Sequence, residues 1–462
     1  MARKQVESAN GSSSKTTPRS STPSAAPGAS FGDVIQQFME QVESLSNASD
    51  MTMKMMKEAV NKAVKCFTSF MGVKGVRILE KTGSQSYQIK PEDFASFKTY
   101  YRDMQSCLLS LRNVPRMFLC SLVHHYDAYL GRLLRTAFLV KPDLLSASKR
   151  QLSFAELTAL SSITAAREYI IEKEVESVIR DGHADQFDWM ESRFALSLRN
   201  ELTAWPRFIE ITERRNLFVH CDGVVSSQYL AVCAKHGVSL TDGIKTGDEI
   251  GVVKDYLRQA VECILEIGVK LGHVLWRKLQ PDRLKEADRA LHMAAYDVLA
   301  EERYTLAKVL LHFAVDTLKK QSSEDIRCMN MINLAIAHNF SGEREQALAI
   351  LKTKDWSASE EKFKLAVAVL EHRYTDAMRM MHTIGARGSI SRVSYSSWPL
   401  FKEFRKRKEF LAAYRDLFGE EFVLPKTELE GAYEHAEAKE PTKASNTARK
   451  VRGRASRARR SR

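Results

Sequence analysis

The sequence predicts an all-α protein that carries one small β-hairpin insertion, and three observations lead to that prediction. Apolar residues recur at intervals of three and four through most of the 462-residue chain, which is the period of one face of an α-helix. Residues 75–90 instead alternate polar and apolar side chains on both sides of a Gly-Ser turn, as short hairpins do. The amphipathic segment Lys254–Leu279 stops just before Pro281, where a helix cannot continue, so we expect a domain boundary there.

Composition and periodicity divide the chain into four parts. Residues 1–30 are rich in Ser, Thr, Pro, Gly and Ala without a hydrophobic period, which predicts a disordered basic leader. We expect a helical domain at 31–281 and a helical-repeat domain at 283–420. The chain turns polar after Pro425, and residues 426–462 predict a disordered Arg-rich tail.

The positive charge is concentrated at the two ends of the chain, whose formal net charge is +13. Residues 1–30 hold four Lys/Arg and one Glu, which gives +3, and residues 443–462 hold nine Lys/Arg and no acid, which gives +9. Such ends attract nucleic acid or another anionic surface. Solvated charges without a biological role are the alternative.

Composition also disfavours several classes of protein. The N-terminus lacks an apolar h-region and the chain lacks a run of about 18 apolar residues, so we expect neither a signal peptide nor a membrane span. The seven cysteines are scattered without a C-x-x-C pair, which is typical of reduced thiols and not of a disulfide frame or a zinc site. We therefore expect a cytoplasmic protein without a metal or cofactor.

The helical pattern begins at Phe31 and runs to about Phe70. It returns from Pro91 to Arg135, where we expect Pro115 near the N-terminus of a strong helix. Asp127 lies between two apolar stripes of that helix. This residue could hydrogen-bond a catalytic Arg or His, or it could be a surface acid or a tie between helices.

Residues 163–180 predict an amphipathic helix. Its i,i+4 pair of Glu172 and Glu176 has no accompanying E-x-x-H, so a solvated charged face fits better than a metal site. Residues 181–186, DGHADQ, predict a turn, and we favour no functional role for His183 within it.

The stretch with the most chemistry is residues 205–223, WPRFIEITERRNLFVHCDG, in which Arg215, Asn216 and His220 follow the pattern R-N-x-x-x-H. A histidine moves protons near neutral pH, and an arginine holds a phosphate through two parallel hydrogen bonds. Gly223 predicts the end of this helix, which puts His220 in the last turn.

Helical geometry limits what one copy of this motif can do. Asn216 and His220 share a face at i,i+4 spacing. We expect that face to point inward, because it carries or adjoins these residues: Trp205, Phe208, Ile209, Thr212 and Val219. Arg215 and His220 diverge by roughly 140°, so we expect two copies facing each other across a dimer to complete the site. Alternatively, His220 caps the helix C-terminus and Arg215 is a surface cation.

Downstream of the motif, residues 224–237 predict a helix or an extended segment, and residues 239–253 predict a polar loop with short strands. The segment 283–420 is helical in pattern and contains irregular repeats. Ala307 lies 40 positions before Ala347 and Ala377 lies 30 after it, against an ideal repeat of about 34. Such repeats bind peptides or proteins in a concave groove, and stabilisation of a dimer is the alternative.

The end of this segment, residues 386–420, combines basic and aromatic residues. Contact with nucleic acid is one interpretation. We favour the apolar side of a capping helix, which would carry these residues: Phe401, Phe404, Phe410, Leu411 and Tyr414.

The motif region ERRNLFVHCDGVVSSQYL, with the preceding segments 114–135 and 163–191, resembles the HEPN superfamily, whose members carry R-x(4 to 6)-H, often with a polar residue after the Arg. The resemblance covers roughly residues 95–280. It implies a helical bundle that dimerises and, in many members, a metal-independent RNase, although other members only bind RNA or serve as scaffolds. Asp127, as part of a HEPN-like bundle, and Arg214 are the candidate supporting residues of the motif. Residues 333–351 resemble one tetratricopeptide unit.

The resulting expectation is an endoribonuclease in which His220 acts as general acid or base, Arg215 stabilises phosphate charge and Asn216 orients the phosphate or His220. The resemblance implies products with a 2′,3′-cyclic phosphate and a 5′-hydroxyl, and a role as a toxin or anti-phage effector. The expected partners are RNA, a second copy of the chain and, through the repeats, another protein. A non-catalytic RNA-binding or protein-interaction scaffold is the alternative.

Overall fold

The computed structural model describes residues 30–79, 85–147, 151–200, 202–240 and 243–423. Helices account for most of these residues, which confirms the all-α class. The predicted hairpin is also confirmed, because β1 (Val76–Leu79) and β2 (Gln85–Gln88) pair antiparallel, with Val76 opposite Gln88. The predicted disordered tail lies outside the described residues, as does the predicted leader apart from Ser30.

The chain forms two compact units, Met1–Asp355 and Trp356–Arg462. The helices of the first unit are α1 (Phe31–Lys74), α2 (Phe94–Val140), α3 (Phe154–Ala159), α4 (Ile163–Arg180), α5 (His183–Phe194), α6 (Trp205–His220), α7 (Ser227–Lys235), α8 (Lys254–Leu279), α9 (Leu284–Ala300), α10 (Tyr304–His312), α11 (Glu324–Phe340) and α12 (Arg344–Lys352). Those of the second unit are α13 (Glu361–Leu370), α14 (Tyr374–Ile384), α15 (Arg392–Ser397) and α16 (Lys408–Phe418). The predicted boundary at Pro281 lies inside the first unit, where Arg277 and Asp288 form an ion pair of 2.7 Å across it.

Two long helices, α1 and α2, form the frame of the first unit. Helix α1 begins at a capping box, in which the Ser30 hydroxyl accepts from the Asp33 backbone N–H and the Asp33 carboxylate accepts from that of Ser30. Helix α2 runs through Pro115, so the prediction that this proline lies near a helix N-terminus was wrong. A proline removes one backbone hydrogen bond, and packing of α2 against α1 and α8 keeps the helix continuous.

Helix α8 packs against this frame at two glycines. A Cβ on Gly268 would lie 2.2 Å from the Phe38 ring, and one on Gly272 would lie 2.4 Å from the Tyr129 hydroxyl oxygen. Phe38 and Tyr129 stack with ring centroids 4.2 Å apart, and the Tyr129 hydroxyl donates to the Gly268 carbonyl at 2.7 Å. The close approach fixes the rotation of α2 and therefore the direction in which Asp127 points.

The segment after α6 folds against its last turn. Buried Leu217, Val225, Tyr229, Cys233 and Ile250 form one hydrophobic cluster there. Helix α7 covers residues 227–235, within the segment predicted as a helix or extended. The prediction of short strands in 239–253 was wrong for the described residues. Those residues form only an isolated bridge between Val224 and Glu249. Hydrogen bonds such as Val225 N–H to the Asp248 carbonyl (2.8 Å) hold this loop without a strand.

Three helical hairpins share one turn conformation: α9 with α10, α11 with α12, and α13 with α14. Their turns each contain a residue with positive φ, namely Glu302 (61°), Gly342 (82°) and His372 (61°). Each turn also closes in the same way, for example through the Glu343 N–H donating to the His338 carbonyl at 2.9 Å. Five residues after each turn residue lies a buried alanine: Ala307, Ala347 and Ala377. The alanines that mark the three predicted repeats are therefore all buried.

The second unit has an aromatic core. Phe401, Phe404, Phe410 and Tyr414 are buried, as predicted, but they do not share one capping helix. Phe401 and Phe404 lie in separate 3₁₀ turns, Pro399–Phe401 and Phe404–Lys406, and only Phe410 and Tyr414 lie in α16. Pro399 and the extended residue Arg407 (ψ 144°) interrupt the helix that the apolar spacing suggested.

Candidate functional site

Helix α6 carries the R-N-x-x-x-H motif. Its inward face is confirmed for four of the predicted residues, because Trp205, Phe208, Ile209 and Thr212 are buried. Val219 is 54% exposed, so the prediction for that residue was wrong. The last turn of α6 instead buries Leu217 against the Val225–Tyr229 cluster, which rotates Val219 toward solvent.

The end of α6 lies where Gly223 predicted it. The helix stops at His220, and the N–H groups of Cys221 and Gly223 both donate to the Leu217 carbonyl, at 2.8 and 3.1 Å. Gly223 has φ +85°, and a Cβ there would lie 3.1 Å from the Arg116 guanidinium. Arg116 in turn donates to the Asp222 carbonyl and to Glu249. These contacts fix His220 in the last turn of the helix, as predicted.

Asp127 on α2 contacts two side chains of the site, Arg215 and His183. Its Oδ2 accepts from Arg215 Nη2 at 3.0 Å, and its Oδ1 lies 2.9 Å from His183 Nε2. The carboxylate was expected to bond either the motif Arg or the motif His. The structure pairs it with Arg215 and with a different histidine. All three side chains are largely buried, with exposed fractions of 20% for Asp127, 23% for Arg215 and 6% for His183.

His183 was missed by the sequence reasoning. The predicted turn at 181–186 is wrong, since Gly182 is the N-cap residue of α5 and His183 is its first residue. The ring packs against Tyr126 and Phe208, with centroid distances of 6.0 and 5.7 Å. A glycine followed by an acidic residue in the first turn, Asp185, is a helix-start signal that could have placed His183 correctly.

Arg215, Asn216 and His220 line one cleft of about 420 Å³ in a single chain. His183 and Glu213 line the same cleft, and His220 is exposed at its surface. Asn216 Nδ2 donates to Glu213 Oε1 at 3.2 Å. The motif residues therefore meet at a common opening, although a helix turns Arg215 and His220 in different directions.

Burial raises the pKa of the Glu213 carboxyl, whereas His183, Asn216 and Arg215 act in the opposite direction. A carboxyl with a raised pKa beside two histidines adds a third group that can hold a proton in the cleft. Sequence reasoning gave Glu213 no role.

Arg215 donates a hydrogen bond to Asp127, and its side chain is 23% exposed at the cleft. Its Nε is buried and makes no hydrogen bond to any residue that the structure describes. Arg214, the predicted supporting residue, lies elsewhere: Nε donates to Glu210 at 2.6 Å, Nη1 donates to the Gly251 carbonyl at 2.8 Å, and the guanidinium lies 4.1 Å from the Tyr256 ring centroid. Arg214 is not among the residues around the cleft.

The arrangement suits an anion and a proton transfer. An arginine that lines the cleft can hold a phosphate oxygen, an amide can orient it, and two imidazoles can accept or donate protons. Within the described ranges, no three His, Cys, Asp or Glu side chains are grouped so that they could hold a metal ion. No helix in the described part of the chain has the length and apolar character needed to cross a membrane.

Comparison of the chain with protein-family models, with curated proteins and with solved structures gave no match.

Proposed function

We propose that the chain is a metal-independent endoribonuclease of HEPN type. The observation that supports this proposal best is the shared cleft of Arg215, Asn216 and His220, which brings a phosphate-binding cation and an exposed imidazole to one opening. The Asp127 carboxylate accepts a hydrogen bond of 3.0 Å from Arg215 Nη2. A hydrogen bond to a largely buried carboxylate limits the rotamers of the arginine, and a side chain fixed in this way can position a ligand accurately.

In the proposed reaction, the ribose 2′-hydroxyl attacks the adjacent phosphorus and the 5′-oxygen leaves. Arg215 offsets the charge that develops on the phosphate oxygens, Asn216 orients the phosphate, and His220 transfers a proton. The products carry a 2′,3′-cyclic phosphate and a 5′-hydroxyl. DNA lacks the attacking hydroxyl and is not a substrate.

A homodimer remains part of the proposal. Two copies were expected to complete the site because Arg215 and His220 point in different directions on a helix. In this chain both line the same cleft, so a dimer would enlarge or close the cleft without having to supply the missing residue. Exposed His220 and Val219 leave room for a second copy at the end of α6.

The test is RNA cleavage in EDTA by the wild type, by His220→Ala and by the control His382→Ala, which changes an exposed histidine of the second unit. We expect the wild type and His382→Ala to cut labelled RNA equally, and His220→Ala to lose ~10²–10⁴-fold in rate, the usual contribution of an acid or base. Equal cleavage by all three proteins, or none by the wild type, would contradict the proposal.

A second candidate is a non-catalytic RNA-binding or protein-interaction scaffold. Three hairpins with the same positive-φ turn and the same buried alanine favour tetratricopeptide-like units, which bind protein segments. The basic chain ends would then hold RNA. Binding of RNA with equal affinity by the wild type and by His220→Ala, with cleavage by neither, would favour this candidate.

A further inference from the structure

A transesterification of this kind needs two proton transfers. One proton leaves the 2′-hydroxyl as its oxygen bonds to phosphorus, and one must reach the 5′-oxygen as its bond to phosphorus breaks. The motif contains a single histidine, His220. The cleft contains a second, His183, which the motif does not include.

We propose that His183 is the general base of the cleft and that His220 is its general acid, so that one chain holds a complete acid–base pair. This inference rests on the proposed ribonuclease function and adds the residue that performs the first proton transfer. It assigns a role to a side chain that lies in a different helix from the motif, α5 instead of α6.

The Asp127 carboxylate orients His183 for this task. Its Oδ1 lies 2.9 Å from His183 Nε2, so in the neutral imidazole the proton resides on Nε2 and the other nitrogen is an acceptor. That other nitrogen, Nδ1, makes no hydrogen bond in the part of the chain that the structure describes. A carboxylate on one ring nitrogen and an open second nitrogen is the arrangement of an oriented general base.

Packing fixes the ring in this orientation. Tyr126 and Phe208 contact the imidazole from α2 and α6, and the N-cap residue Gly182 immediately precedes it. A base held by its neighbours loses little freedom when substrate binds, which lowers the entropic cost of reaction.

The same carboxylate also holds Arg215, through its other oxygen at 3.0 Å. Asp127 thereby sets the separation between the base and the cation that binds the phosphate. The charged groups around His183 include Asp127 from α2, Glu213 and Arg215 from α6, and Arg180 and Asp181, which line the same cleft.

His220 suits the opposite role. It lies in the last turn of α6 and is exposed at the rim of the cleft, where water can return the proton that it gives up. In the proposed step, His183 Nδ1 takes the 2′-hydroxyl proton while the 2′-oxygen bonds to phosphorus. The bond from phosphorus to the 5′-oxygen breaks, and the imidazolium of His220 gives that oxygen its proton. Exchange with water then resets both rings.

A sulfur substitution separates the two roles. When sulfur replaces the bridging 5′-oxygen of the RNA, the leaving group departs as a thiolate. It needs no proton, because a thiol is far more acidic than an alcohol. On ordinary RNA we expect His183→Ala and His220→Ala each to lose ~10²–10⁴-fold in rate. On the sulfur substrate His220→Ala regains most of its rate, whereas His183→Ala does not.

A structural role for His183 makes a different prediction. His183→Gln keeps a donor for Asp127 but has no ring nitrogen that can accept a proton. If the residue only ties α5 to α2, Gln restores cleavage. If it is the base, His183→Gln stays as slow as His183→Ala at the wild-type melting temperature, and the limb of its residual pH–rate profile that rises with pH disappears.

The failures are distinguishable. Wild-type protein that leaves RNA intact overturns the ribonuclease proposal and this inference with it. Wild-type protein that cleaves, together with an active His183→Gln or a sulfur rescue of His183→Ala, overturns the role of His183 alone.

Discussion

Arg214 and Arg215 are neighbours on helix α6, and each donates to a carboxylate, yet their surroundings differ. Arg214 is surrounded by partners: Glu210, the Gly251 carbonyl and the face of Tyr256. Arg215 donates to Asp127, and its buried Nε has no partner among the described residues. One residue of rotation along a helix, about 100°, separates a closed ion pair from one that borders a cleft.

The difference indicates that Arg214 serves the stability of the fold, whereas Arg215 serves the cleft. Glu210 accepts from Arg214 and from the hydroxyls of Tyr229 and Tyr256, at 2.8 and 2.6 Å, so its charge is fully compensated within the protein. A buried charge that has all its partners holds elements together. Arg215 instead lines the cleft with a side chain that is 23% exposed, so its guanidinium can reach an anion there. We expect substitutions at Arg214 to change stability and substitutions at Arg215 to change chemistry.

The largest expected effect is that of Arg214→Ala on stability. Removing this guanidinium leaves the 6%-exposed Glu210 without its cation, and breaking such a buried pair costs ~3–5 kcal/mol. Urea unfolding measures the change. The control is Arg258→Ala, which removes an exposed pair with Asp255 and a half-buried one with Glu262, at the long distances of 3.9 and 3.7 Å, and should cost ~0–1 kcal/mol. Equal losses in the two variants would show that the Glu210 cluster has no special structural role.

The second prediction concerns Arg215→Ala. We expect the RNA cleavage rate to fall by ~10²–10³-fold, as when one charge-stabilising donor is lost from an active site. The free energy of unfolding should change much less than in Arg214→Ala, because Arg215 contributes one hydrogen bond to Asp127. Rate and stability are measured on the same preparation. A stable, fully active Arg215→Ala would remove the contrast between the two arginines.

The sequence placed the motif on its helix but could not give the partners of these two arginines. The bounds of α4 (Ile163–Arg180) and α8 (Lys254–Leu279) follow from periodicity and from local stop signals. The stop at Gly223 is equally local. By contrast, the partner of Asp127 depends on how α2, α5 and α6 pack, and no local pattern contains that information. His183 was missed for the same reason, since only tertiary packing brings α5 to Asp127.

Tyr256 is the second group, beside Arg214, that compensates the charge of Glu210. The Tyr256 hydroxyl donates to Glu210 at 2.6 Å, and a hydrogen bond to a charged group is worth ~1.5–3 kcal/mol. Tyr256→Phe should therefore lower the free energy of unfolding by about that amount without changing the cleavage rate. Tyr100→Phe, which changes an exposed tyrosine of α2, serves as the control. A loss of cleavage in a stable Tyr256→Phe protein would show that the two clusters are functionally coupled.

The smallest expected effect is that of Glu213→Gln, at a residue that lines the cleft, on the stability of the fold. Burial raises the pKa of this carboxyl in the folded protein, so the folded state binds its proton more tightly than the unfolded state does. The charged form therefore destabilises the fold above the unfolded pKa of about 4.5, and this cost grows until pH exceeds the folded value.

Glu213→Gln should consequently raise the melting temperature slightly at pH 7 and not at pH 4, where the carboxyl is protonated in both states. Thermal unfolding at the two pH values makes the comparison, with Glu345→Gln on α12 as the control. A stabilisation of equal size at both pH values would mean that the charge of Glu213 is not its cause.

The central claim is that the cleft of Arg215, His220 and His183 cleaves RNA through the 2′-hydroxyl. The most direct measurement incubates the wild-type protein in EDTA with an RNA and with the same RNA methylated at every 2′-oxygen, and identifies the ends of any products. We predict cleavage of the unmodified RNA to 2′,3′-cyclic phosphate and 5′-hydroxyl ends, with the methylated RNA intact. No cleavage of either RNA, or equal cleavage of both, would contradict the account.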